Sequence, residues 1–143
     1  MTDPKNNLLH RWFEVVWNKA RIEAIDEMAV PDVVAHGLVD SQGNEITGRE
    51  AFKGFWHQFR SVFPDVHIDV EDGLADGDKV MVRCTVRGTH SGAGIGIAPT
   101  GKKVAFTGVC IARIKDNQII EAWNNFDFLS MYQQVGAVPA SFT

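Results

Sequence analysis

The sequence predicts a single α+β domain: a curved antiparallel sheet forming a cone, with helices closing its mouth. Three observations carry this reading. Apolar residues recur at helical spacing in three segments before Pro64. Beyond it the period falls to two, through four runs joined largely by tight turns. Helices and antiparallel strands segregated along a chain in this way give α+β rather than a parallel α/β sheet. The 143 residues suit one domain, since a domain takes about 100–200. No linker, repeat or low-complexity stretch divides the chain, so residues 1–143 are read as one unit.

The first helix spans residues 7–18. Leu9, Phe13 and Trp17, with Leu8, Trp12 and Val16, stand at i, i+4 steps and make one broad apolar stripe. A second short helix, Arg21 to Met28, turns Ile22, Ile25 and Met28 inward, and Pro31 stops it. Val33 to Val39 reads as a strand with His36 in its middle. Thr47 followed by Glu50 is a capping-box signature for a third helix, with Phe52, Phe55, Trp56, Phe59 and Phe63 on its inner face. A strand follows in which Val66, Ile68 and Val70 alternate with polar residues. Asp76–Gly77–Asp78 turns the chain into KVMVRCTVRGTH, a glycine-rich loop at 91–101 leads to KVAFTGVCIARI, and a turn at 115–118 sends it back as IIEAWNNFDF. These form an antiparallel meander. Residues 128–135 close the chain as a short helix, with Gly136 at the C′ position.

Composition narrows the function. Fourteen basic and eighteen acidic residues give a net charge of −4. With no basic cluster, nucleic acid and anionic membrane surfaces are poor partners. No apolar run approaches the roughly 18–20 residues of a membrane span. The N-terminus lacks the layout of a signal peptide, and the chain is expected in the cytoplasm. Cys84 and Cys110 lie in apolar segments without CxxC spacing and read as reduced, buried thiols. No His, Asp, Glu and Cys set has metal-ligand spacing, so neither metal nor cofactor is expected. Nine Phe and four Trp against one Tyr supply much apolar surface with few polar handles. In the strand from Val104 to Ile114 both faces are mostly apolar, so a homodimer packed on the convex face is expected.

The last strand carries the chemistry. Alternation puts Glu121, Trp123, Asn125 and Asp127 on one face and Ala122, Asn124 and Phe126 on the other. With Trp123 turned inward, Asn125 and Asp127 line the interior. A carboxylate in aromatic surroundings has its pKa raised by desolvation, which suits a general acid or base. Aspartate is also a favoured N-cap, here for the helix at 128–135, and the residues leave both roles open. Trp17, Trp56, Phe63, Phe106 and Trp123 are the candidate aromatic wall. His90, at a strand end, is a candidate for the cavity mouth. Arg83 could hold a substrate oxygen or orient Asp127, and equally could serve in a cross-strand ion pair.

The strings FPDVH (63–67), GDKVMVRCTVRGTHSG (77–92), PTGKKV (99–104), IIEAWNNFD (119–127) and QQVG (133–136) together resemble the SnoaL-like polyketide cyclases, of the nuclear transport factor 2-like superfamily. The resemblance runs from PDVVAH (31–36) to QQVG. It implies an open α+β roll around a deep apolar cavity that takes a small organic molecule. In characterised cyclases of this family an aspartate near the end of the last long strand is the acid/base, promoting intramolecular aldol closure without metal or cofactor; the matching residue is Asp127. Two related chemistries fit less well. Limonene epoxide hydrolases need an Arg-x-Asp step, where this chain has Arg83-Cys84-Thr85. Ketosteroid isomerases place a base near His36 but need a first-helix tyrosine, where this chain has Trp12, Phe13 and Trp17. Isomerisation, hydration or dehydration on the same cone, and a non-catalytic binding or dimerisation module, stay open beside cyclisation.

Overall fold

The computed structural model describes residues 7–139; residues 1–6, on which part of the signal-peptide reading rested, lie outside them. Helix α1 (Leu8–Trp12) runs on through a wider, π-helical stretch at Phe13–Asn18. The Asn7 side chain starts it by accepting from the N–H groups of Leu9 and His10. Then come α2 (Ala24–Met28), β1 (Ala29–Val39), β2 (Glu45–Thr47), α3 (Arg49–Val62), β3 (His67–Asp76), β4 (Lys79–Thr89), β5 (Lys103–Lys115), β6 (Gln118–Phe126) and α4 (Phe128–Gln134).

The six strands form one curved, unclosed sheet in the order β2-β1-β6-β5-β4-β3. Strands β3 to β6 are the expected meander, each antiparallel to the next. Strand β1 adds to β6 in parallel and carries β2 on its outer edge. Two details depart from the sequence reading. Strand β1 begins at Ala29 and runs through Pro31, so Met28 already ends α2. The capping box does not form, because Thr47 is in β2 and Gly48, at φ +91°, is the cap residue without a side-chain bond. The Gly48 N–H instead donates to Val33 O at 2.6 Å, tying the start of α3 to β1.

The core lies between the helices and the inner face of the sheet. Inner positions are small on the central strands (Ala35, Gly108, Cys110, Ala112, Ala122) and large on the helices, which lets the aromatic helices settle into the concavity. Trp17 is the hub: its ring meets Phe52, Phe55, Trp56 and Phe59 at 5.8–6.4 Å between centroids, mostly edge to face. The Trp56 indole N–H donates to Val16 O at 3.0 Å, so its one polar atom is satisfied inside the core.

No helix among the described residues is long and apolar enough to cross a membrane. Both cysteines are free and buried.

Candidate functional site

A cavity of about 70 Å³ lies between the helices and the sheet. The first helix contributes Leu9, Trp12, Phe13 and Trp17, and α3 contributes Phe52, Phe55 and Phe59. The sheet supplies Ala35, Phe106, Cys110, Ala122, Asn124 and Phe126, and Phe128 closes the wall at the start of α4. Phe55, Phe59, Phe126 and Phe128 are partly exposed where most of the lining is buried. The cavity therefore nears the surface between α3 and the β6–α4 junction. Among the described residues Asn124 is the one carboxamide in this wall, and no carboxylate, imidazole, hydroxyl or ammonium lines it.

The inner face of β6 is thus Ala122, Asn124 and Phe126, not Trp123, Asn125 and Asp127. The alternation is as expected, but the face is inverted. A register shift explains it. Lys115 pairs with Gln118 and Ile114 with Ile119, as the two-residue turn at Asp116 and Asn117 dictates. Arg113 then pairs with Glu121, Ala112 with Ala122 and Cys110 with Asn124. Ile120 is the extra residue of a β-bulge, and one added residue exchanges the faces of everything beyond it.

Trp123 consequently sits on the outer face, stacked on His36 at 5.6 Å between ring centroids and flanked by the cations of Lys79 and Arg113. Asn125 is exposed there. Asp127 is exposed as well and caps α4, its Oδ1 accepting from the Ser130 N–H at 3.0 Å. Its own N–H donates to Thr107 O at 2.9 Å, which fixes the backbone against β5. Oδ2 makes no hydrogen bond among the described residues. Arg83 lies on the same outer face, in a shallow groove with Thr107, Val109, Asn125 and Asp127. The structure does bring Arg83, Asn125 and Asp127 together, but outside the cavity.

His36 also faces outward, because Ala35 occupies the inner position of β1. Its Nε2 is 2.6 Å from Glu121 Oε2 and its Nδ1 is 2.9 Å from Glu45 Oε1. The two carboxylates, Glu121 foremost, raise the imidazole above its ordinary pKa and favour the charged form.

Of the expected aromatic wall, Trp17 and Phe106 line the cavity; Trp56 and Phe63 are buried in the core away from it. Phe63 packs over Gly88 and at 6.0 Å from His90. His90 is fully buried rather than at a mouth, since the loop after β4 folds over it. The Thr100 N–H donates to His90 Nδ1 at 3.3 Å, leaving Nε2 buried without a partner among the described residues. Burial pushes the Cys110 thiol well up and the Cys84 thiol up to about 12, so neither is a nucleophile. Among the described residues no group of three or more His, Cys, Asp or Glu is placed to hold a metal.

Asn124 is the residue that sequence reasoning missed. The turn at Asp116–Asn117 taken without a bulge pairs Cys110 with Trp123, and that register turns Trp123 inward.

Known proteins with this architecture match over most of their length. IdmH of Streptomyces antibioticus, assigned as a polyketide cyclase, is 32% identical with a TM-score of 0.79, over 90% of this chain and 96% of its own. A protein of Bacillus cereus with the same assignment is 29% identical with a TM-score of 0.76, over 92% of this chain and 79% of its own. AclR of Streptomyces galilaeus, assigned as a hydroxylase, is 27% identical with a TM-score of 0.77, over 92% of this chain and 80% of its own. No curated protein sequence matches. The profile of the SnoaL-like polyketide cyclases matches residues 7–135, and the chain belongs to that family.

Proposed function

We propose that this chain is a cofactor-independent acid/base enzyme acting on a small apolar carbonyl compound, by aldol-type ring closure. The observation that carries the reading is the position of Asp127 between Phe126 and Phe128, two cavity-wall residues at the partly exposed end. A molecule that extends out of that end, past Phe126 and Phe128, comes to the outer groove, where the Asp127 carboxylate has one oxygen unengaged. Asp127 takes a proton from the carbon beside a carbonyl. The resulting carbanion attacks a second carbonyl of the same molecule, forming one C–C bond, and the alkoxide takes the proton back. Proximity inside the cavity contributes at best roughly 7–11 kcal/mol to such a step. The reading extends to a homodimer packed on the outer sheet face, supported by half-buried Val109 and Ile111 there, and to action in the cytoplasm.

A second reading, a binding module without catalysis, is favoured by the cap bond of Asp127 and by a cavity wall that holds no carboxylate among the described residues.

Asp127→Asn separates the two, because asparagine caps a helix about as well as aspartate. The wild-type protein and the variant are incubated with esters carrying two ketones at ring-closing separation, and cyclic isomers and their dehydration products are followed by mass spectrometry. The enzyme reading expects ring closure by the wild type, and its loss in a variant that melts within a few degrees of the wild type. Retained closure in the variant removes Asp127 from the chemistry. Binding of the esters by the wild type with no closure of any of them supports the second reading.

A further inference from the structure

We propose that Asn124 sets the ligand specificity of the cavity, its Oδ1 accepting a hydrogen bond from a hydroxyl on an otherwise apolar, single-ring-sized molecule. The inference rests on the cavity being a ligand site and adds the chemistry that the ligand carries.

Asn124 is only 9% exposed and, among the described residues, is the one carboxamide in the cavity wall. Its orientation is fixed by chemistry. The Nδ2–H donates to His36 O at 3.0 Å, and a backbone carbonyl can only accept, so the amide cannot be turned round without losing that bond. Oδ1 is therefore the atom left, and it makes no hydrogen bond among the described residues. An acceptor set in an otherwise apolar wall has no side-chain donor to turn to, and a ligand group that supplies one is bound selectively.

The anchor is also rigid. Asn124 pairs with Cys110 of β5 on one side. On the other, Gly37 of β1 lies so close that an added Cβ would fall 1.9 Å from the Asn124 carbonyl oxygen. A side chain held in this way presents its acceptor in one place, which favours a ligand whose hydroxyl sits at one position on its skeleton.

The acceptor also selects the tautomer. A ketone oxygen set against Oδ1 puts two acceptors together, whereas an enol or phenol hydroxyl donates. A compound able to enolise thus enters with its enol at Asn124 and its remaining carbonyl toward the partly exposed end. Size sets the rest. The cavity, at about 70 Å³, is near half of the roughly 150 Å³ that accepts a benzene ring in an engineered apolar cavity. One ring, admitted by a shift of the partly exposed phenylalanines, is the natural occupant.

Phenol and toluene test this, since they differ only by hydroxyl against methyl. Each is titrated into the folded protein and followed by the methyl resonances of Ala35 and Ala122, which face the cavity. In Asn124→Leu the phenol-to-toluene affinity ratio is expected to fall about tenfold, with toluene binding retained as evidence of an intact cavity. In the wild type the Asn124 13Cγ resonance is expected to move with phenol and not with toluene, a readout that stands if the leucine variant fails to fold. Binding of both compounds with no movement of that resonance under phenol overturns the role of Asn124 and leaves the cavity reading intact. Binding of neither compound overturns both.

Discussion

The Nε2 atom of His36 lies 2.6 Å from Oε2 of Glu121, joining β1 to β6 on the outer face of the sheet. Glu45 of β2 engages the other ring nitrogen, so one imidazolium ties three strands together. Both nitrogens must carry protons to serve both carboxylates. The folded state therefore holds His36 above its ordinary pKa of 6.5. A raised pKa stabilises the fold fully below the unfolded value and loses that contribution as pH rises through the folded one. The melting temperature of His36→Gln is expected to fall furthest below the wild type at pH 5.5–6, above the range where the carboxylates protonate. The gap should narrow steadily on the alkaline side of pH 7. A gap that does not change with pH would mean that the imidazole contributes by packing on Trp123, not by charge.

One substitution at two glycines should act with opposite signs. At Gly37 an added methyl meets the Asn124 carbonyl oxygen, and the backbone is at φ +85°, where L-residues are strained. Gly37→Ala must part β1 from β6 and is expected to cost about 3 kcal/mol or more. Gly54 lies in the middle of α3, is exposed and has nothing within 4 Å of an added Cβ. Gly54→Ala is expected to stabilise by about 0.5–1 kcal/mol, through helix propensity alone. Urea denaturation of the two variants measures both values.

Much of the fold was legible because hydrophobic period is a direct image of secondary structure. Trp12, Phe13 and Trp17 marked the helix over the cavity, and Val66, Ile68 and Val70 marked the change to strand. The candidate site was legible only as far as the alternation of β6. Which face is inner depends on Ile120, the bulge residue, and nothing in IIEAWNNFD distinguishes a bulged strand from a regular one. Tryptophan misled for a physical reason too: Trp123 has its partners outside, in a histidine ring and two cations, so its size does not require a core position. The failed capping box has a similar origin, since Thr47 is drawn into pairing with Val34 before α3 begins.

Thiol reactivity reports on the sheet interior. Cys84 and Cys110 are both buried on the inner face, and desolvation pushes the Cys84 thiol up to about 12 and that of Cys110 further. Only the thiolate reacts with disulfide reagents. At pH 8 the native protein is expected to show no modification at these two positions over an hour, and both should react promptly in denaturant. Fast labelling of Cys110 in the native protein would mean that the β4–β5 pair opens readily.

Phe126 lies over Gly108, its cross-strand partner, with no room between them. An added Cβ at Gly108 would stand 2.1 Å from Phe126 Cδ1 and 2.4 Å from its Cγ. These ring atoms are near the root of the side chain, so the ring has to swing as a whole. It then leaves its contacts with Phe13 and Phe128, each at 6.2 Å between centroids, and the partly exposed end of the cavity changes shape. Gly108→Ala is expected to cost about 1–3 kcal/mol, the usual range for overpacking. Phe126→Leu removes the ring that the new methyl strikes, at its own cost in packing. The two changes should therefore not add: Gly108→Ala in the Phe126→Leu background is expected to cost less by about 0.5–3 kcal/mol, the range for residues in contact. Four urea titrations close that cycle. Full additivity would show that the strain of Gly108→Ala is taken up by the β5 backbone, leaving Phe126 and the end of the cavity where they are.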